Sequence, residues 1–143
     1  MNPLLEKEAV KRAEKSIKEF DPNLEIICLE QTARTAQDAA TALGCNVGAI
    51  VKSLLFNAGE GFVLCLVSGD QRCSLNKLKK ITGYTIGGCS PVGHLTRIKI
   101  FIDSNLERFT EVFAAAGHPN CVFEISFKKL TNLTSGEIKE LAE

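Results

Sequence analysis

Two runs of β-favouring residues, Ile50 to Asn57 and Gly61 to Ser68, are separated only by Ala58-Gly59-Glu60. So short a glycine-bearing connection leaves an antiparallel hairpin as the simplest arrangement, and Ser68-Gly69-Asp70 reads as the turn that closes it. Everything else in the chain must pack around this hairpin. The chain is 143 residues long with 45% hydrophobic and 24% charged residues, enough to bury one full core without disulfides or metals, and too apolar for a disordered chain.

The flanking elements follow from periodicity and breakers. Leu4, Leu5, Val10, Ala13, Ile17 and Phe20 form a stripe of helical spacing, predicting an amphipathic helix from Leu4 to Phe20 that Asp21-Pro22-Asn23 breaks. Glu25 to Leu29 reads as a strand. Thr35 with Asp38 resembles a capping pair for a helix burying Ala36, Ala39, Ala40 and Leu43, which Gly44 ends. Leu75 to Ile81 predicts a short basic helix, Arg97 to Asp103 a strand, and Cys121 to Ile125 another strand. Ser126 to Leu130 and Ser135 to Leu141 read as short helices, while Glu111 to Ala116 is ambiguous. The order is mixed α and β, and the absence of repeats or linkers predicts a single domain over residues 1–143, with 1–23 as a helical extension packed on it.

Charge and cysteine usage exclude several classes. Lys plus Arg and Asp plus Glu both number 17, so the chain lacks the surplus cation that binds nucleic acid by bulk electrostatics; a local basic patch of Lys77, Lys79, Lys80, Arg97 and Lys99 stays open as a phosphate contact or as a solvated face. The longest uninterrupted apolar stretch, Phe62 to Val67, falls far short of a membrane span, and the mixed-charge start does not read as a signal peptide, so the expectation is a cytoplasmic protein. None of the six cysteines shows the C-x-x-C spacing of zinc or redox motifs, which leaves most as small buried hydrophobes. Phosphate-binding, dinucleotide, zincin, EF-hand and nucleophile-elbow motifs are all missing.

Two features could carry chemistry. Lys52 lies inside the apolar run Ile50-Val51-Lys52-Ser53-Leu54-Leu55-Phe56, and an ammonium is costly to desolvate, so it either snorkels to solvent or serves a site that needs a fixed positive charge. The segment from Gly83 to His94 is interrupted by Gly87, Gly88, Pro91 and Gly93, so it cannot be one regular element and is expected to be a shaped loop, either a tight turn or a concavity whose backbone N–H groups meet an oxyanion. Within it, Cys89 and Ser90 are potential nucleophiles with only His94 nearby as a base. Asp103 could orient a substrate amine or cap the next turn.

In order, Thr35 to Gly44, Ile50-Val51-Lys52-Ser53-Leu54, Val67-Ser68-Gly69-Asp70, Gly87 to His94, Phe101-Ile102-Asp103 and Ala115-Ala116-Gly117 resemble the YbaK/ProX family, free-standing relatives of the editing insertion domain of bacterial prolyl-tRNA synthetases. The likeness spans Thr35 to Leu130. It implies a mixed β-sheet or partial barrel with surrounding helices, and hydrolysis of the ester on a mischarged tRNA. It further implies no metal or organic cofactor, no DNA and no membrane partner, with an aminoacyl-tRNA synthetase as a candidate partner. The family's lysine and G-x-x-x-P loop correspond to Lys52 and Gly87-Gly88-Cys89-Ser90-Pro91. Lys52 and Gly87 are then the expected catalytic positions; Ser53, Gly88, Cys89, Ser90, Pro91, Gly93, His94, Asp103 and Gly117 are the expected substrate-binding ones. No general base comes with this set, so the substrate's ribose hydroxyl, or the thiol of a cysteinyl substrate, assists. Cysteinyl, alanyl, seryl, threonyl and small non-protein aminoacyl esters all stay open as substrates. A non-catalytic tRNA- or nucleotide-binding module acting with a synthetase is the rival reading, and a thiol enzyme using Cys89 a third.

Overall fold

The computed structural model describes residues 3–30, 35–59, 61–89, 98–118 and 120–143. Its framework is two sheets. A three-stranded antiparallel sheet, in the order β1-β7-β6, is built from β1 (Ile26–Cys28), β6 (Glu111–His118) and β7 (Cys121–Ser126). A five-stranded mixed sheet, in the order β4-β2-β3-β5-β8, is built from β2 (Val51–Ala58), β3 (Gly61–Ser68), β4 (Ile86–Cys89), β5 (Lys99–Asp103) and β8 (Glu137–Lys139). Here β2, β3 and β4 pair antiparallel, whereas β5 runs parallel to β3 and β8 parallel to β5. Among the described residues neither sheet closes on itself, so the mixed-sheet form of the expected fold is the one adopted.

The hairpin forms as expected, with Val51 opposite Ser68 and Ala58 opposite Gly61. Because successive side chains on a strand alternate between faces, the five-stranded sheet buries both of its surfaces. Val51, Leu66 and Ile102 face the main core, shared with the three-stranded sheet, α1 (Glu8–Phe20) and α4 (Phe127–Thr134). Phe56, Val63, Cys65, Val67 and Phe101 face a second core closed by Leu78 of α3 (Leu75–Thr82) and Leu141. A third, smaller core seats Ala39 and Ala40 of α2 (Ala36–Leu43) against Leu29 and Ile50.

Local chemistry explains most of the boundaries. The side chains of Thr35, Ser74 and Ser126 accept from the amides of Asp38, Lys77 and Lys129, capping α2, α3 and α4. Gly44 and Gly83 end α2 and α3 in the left-handed conformation. The N-terminal stripe starts as a 3-10 turn, Pro3–Glu6, and becomes α-helical at Glu8; Val10 and Ile17 are buried in the main core, making α1 part of that core.

Three expectations are corrected or sharpened. Ser135 to Leu141 does not form a helix: Ser135 adopts positive φ after α4, and Glu137–Lys139 adds as a strand to the open edge of β5, a partner the local sequence cannot announce. The ambiguous Glu111 to Ala116 belongs to β6, where Val112, Ala114 and Ala116 are buried; apolar Phe113 and Ala115 between them mask the two-residue period. Part of the glycine segment is also regular, since Ile86–Cys89 pairs with β2 through a bulge between Phe56 and Ala58, which an edge strand tolerates. No helix among the described residues is long and apolar enough to cross a membrane.

Candidate functional site

Lys52 occupies the second position of β2, opposite Val67. Strand alternation puts it on the same face as Phe56 and Ala58, the face of the second apolar core, and it is half-buried. Its ammonium is tied to the backbone: Nζ donates to the carbonyl of Gln71. The charge is thus held at a fixed place beside apolar walls, where its interactions are screened less than in bulk water. Ser53, the next residue, alternates to the opposite face and is exposed.

The acceptor of this bond sits in a tightly built turn. The Gln71 amide donates to Ser68 O at 3.0 Å, and the fully buried Ser68 hydroxyl donates to the carbonyl of Gly48. Gly69 has no room for a side chain, since a Cβ there would lie 2.4 Å from Val47 O and 2.9 Å from the Ala36 side chain. Gln71 also carries a buried Oε1 with no partner among the described residues, an acceptor of the kind ordinarily satisfied in a folded protein.

The glycine-proline segment approaches from the neighbouring strand. Cys89 stands opposite Phe56 and Ile86 opposite Ala58, so β4 runs antiparallel to β2 and leads the chain toward the Lys52 end of the sheet. Gly87 packs on Asn57, with a Cβ there falling 3.1 Å from that of Asn57. The expected site residues Ser90, Pro91, Gly93 and His94, and the candidate phosphate contact Arg97, lie outside the described residues.

Two further expected site residues make close structural contacts. Asp103 is fully buried, and its carboxylate accepts from the amides of Leu141 (2.7 Å), Ala142 (3.1 Å) and Asn105 (3.2 Å). Asp103 thus caps the turn that follows and fastens the C-terminal residues. Gly117 belongs to the other sheet: at φ 87° it lies against α1, where a Cβ would meet Ala9 O at 2.5 Å. Among the basic residues, Lys77 donates to Ala142 O at 2.6 Å and Lys99 pairs with Glu137 at 3.1 Å.

The described thiols are mostly packed groups. Burial, reinforced by the neighbouring Cys28, pushes Cys121 up to about 11, and burial also raises Cys45. Cys73 is the exception: a hydrogen bond with Cys65 holds it below its ordinary value, and the positive charge of Lys52 acts in the same direction. His118 accepts at Nδ1 from the Asn120 amide at 3.0 Å on the three-stranded sheet. Gln71 and Ser68 were not singled out as site residues from the sequence, and no local pattern could have found Gln71, which stands 19 residues from the lysine it holds.

The sequence model of the aminoacyl-tRNA editing domain family matches residues 30–83 and 77–133. The protein YwhH of Bacillus subtilis is 28% identical over 126 residues, covering 76% of this chain and 80% of that protein. EbsC of Enterococcus faecalis, described as a candidate Cys-tRNA(Pro)/Cys-tRNA(Cys) deacylase, is 26% identical over 125 residues, covering 75% of this chain and 76% of that one. A crystal structure described as a candidate trans-editing enzyme for prolyl-tRNA synthetase superposes with a TM-score of 0.85 at 32% identity, covering 96% of this chain and 98% of that one.

Proposed function

The chain belongs to the aminoacyl-tRNA editing domain family, and on that premise we propose that it is a trans-editing deacylase, hydrolysing the ester between a wrong amino acid and the terminal ribose of a tRNA. Such an activity answers a physical limit. A synthetase pocket discriminates against a side chain differing by one methylene by only about 1–3 kcal/mol, so errors are removed at a second site.

The observation that carries the reading is the tethered ammonium of Lys52, held by the Gln71 carbonyl on an apolar sheet face beside β4, the strand that contains Gly87-Gly88-Cys89 of the expected site. An ammonium fixed in advance stabilises charge that develops on the ester oxygen, or holds the terminal phosphate, without reorganising during the reaction. The family likeness assigns support of the ester to the backbone of Gly87-Gly88-Cys89-Ser90-Pro91. Water adds to the carbonyl carbon, the bond to the ribose oxygen breaks, and that oxygen takes up a proton, releasing the free amino acid and an uncharged tRNA. As the family likeness implies, the proton transfers are assigned to the substrate's ribose hydroxyl, or to the thiol of a cysteinyl substrate, and Cys89 is given no nucleophilic role. The chain's balanced charge suits a tRNA delivered with help from a synthetase.

The test is deacylation of tRNAs carrying cysteine, alanine, serine or threonine, with wild type beside Lys52→Ala and Cys89→Ala. Selective turnover is expected in wild type and in Cys89→Ala, with a loss of about 10²- to 10³-fold in kcat for Lys52→Ala. Full activity in Lys52→Ala removes the role assigned to that residue. Retention of charged tRNA without turnover by wild type selects the binding-module reading.

A further inference from the structure

Three turns far apart in the chain meet beside the Lys52 end of the five-stranded sheet: Val47–Ala49 before β2, Ser68 to Gln71 after β3, and Ser104–Arg108 after β5. The residue that joins them is Arg108. Its Nε donates to Asn105 O at 2.9 Å, shaping its own turn. Its Nη2 donates to the buried Ser68 hydroxyl at 2.9 Å and to the Asp70 carboxylate at 3.2 Å, spanning the tip of the second turn. The Ser68 hydroxyl in turn donates to Gly48 O in the first turn. The guanidinium stacks 4.9 Å from the centre of the Phe109 ring, and Gly48 lies against the same group: a Cβ there would fall 2.8 Å from that ring, 3.0 Å from the Asp70 carboxylate and 3.1 Å from Arg108.

The Arg108 and Asp70 side chains are 43% and 33% exposed, and an ion pair of that exposure contributes little to stability. What the arrangement supplies is orientation. The turn gripped at Ser68 and Asp70 is closed by the Gln71 amide on Ser68 O, and the carbonyl of that same Gln71 accepts from Lys52 Nζ. We propose that Arg108 is a positioning residue for Lys52, setting the place of its ammonium through the Ser68–Gln71 turn. The proposal rests on the reading of Lys52 given above, because it treats that ammonium as the working group. A planar guanidinium reaches the carbonyl, hydroxyl and carboxylate at once from fixed directions, which the single point of a lysine ammonium cannot do.

The experiment compares Arg108→Ala and Arg108→Lys with wild type in deacylation and, independently of activity, in the NMR signal of reductively ¹³C-methylated Lys52, assigned with Lys52→Arg. Displacing a working group by a fraction of an ångström to an ångström costs about 10- to 100-fold. The expected result is that loss in kcat with KM little changed, incomplete recovery by Arg108→Lys, partial rescue of Arg108→Ala by methylguanidinium, and a shifted Lys52 signal in both variants. When Arg108→Ala is added to Lys52→Ala, the residual rate should change by less than about 2-fold. An unmoved Lys52 signal, a kcat within about 2-fold of wild type, or a full additional loss in the Lys52→Ala background would each overturn the proposal. Should wild type prove inactive on every charged tRNA, the deacylase reading fails while the Lys52 signal still decides whether Arg108 positions that side chain.

Discussion

The main core and the Lys52 end of the five-stranded sheet are held by different kinds of contact. The three-stranded sheet is sealed by apolar packing: Val10 and Ile17 of α1 and Leu130 of α4 close on Val112, Ala116 and Ile125, and Gly117 lets the α1 backbone come close. The Lys52 end of the five-stranded sheet is instead organised by polar groups, in which Arg108, Ser68, Asp70, Gly48 and Gln71 join three turns. Apolar contact is non-directional and scales with the area removed from water, so it supplies stability. Hydrogen bonds contribute modestly in net energy but demand fixed distances and angles, so they supply position. The cores and the turns at the Lys52 end divide these tasks between them.

That division can be broken by experiment. The largest effect expected on stability is at Ile125, buried at 1% exposure in the main core. Ile125→Ala should lower the unfolding free energy by about 2–5 kcal/mol in urea titration while leaving kcat per folded molecule unchanged. A fall in kcat at full folding would show that the main core also sets the site. Next is Gly117→Ala, where the new Cβ meets the α1 backbone and the residue must keep a positive φ. A loss of about 1–3 kcal/mol is expected, with activity again retained, read by the same titration beside deacylation. An activity loss without destabilisation would support the expected place of Gly117 in the substrate site.

The smallest effect sharpens the comparison from the polar side, at the exposed Lys129–Asp21 pair. Lys129 donates to Asp21 at 2.8 Å, and this bond, helped by the Asn23 amide, holds the Asp21 carboxyl below its usual 3.8. A depressed carboxyl contributes stability above its unfolded value and loses it as pH falls through the folded one. Wild type and Lys129→Met should therefore differ slightly in melting temperature at neutral pH and converge as pH falls below 3.8. Asp21 raises Lys129 above 10.5 in return, so the difference should also fade as pH climbs beyond that value. Activity should not respond at any pH where the protein is folded.

Much of this fold is legible from short stretches. The hairpin, the cap of α2 by Thr35 and its stop at Gly44 are each decided within a few residues. The strand β8 was not, because its residues pair only when the edge of β5 is already in place. For the site, Lys52 stands out in the sequence as a charge in an apolar run, an anomaly visible without any partner. Gln71 and Arg108 do not, since ordinary polar residues in turns carry no mark of what they will hold.

The sequence by itself therefore determined the elements whose hydrogen bonds close locally, the family likeness carried by motif order, and the one lysine that burial would make costly. Only the tertiary structure decided that the ammonium of Lys52 meets the Gln71 carbonyl, that Asp103 is spent on the amides of Leu141, Ala142 and Asn105, and that Arg108 reaches Ser68 across 40 residues of chain. The reason is physical. Periodicity and capping act over one or two turns of chain, whereas a side chain's partners across the fold are set by which strand edges and turns the cores bring together.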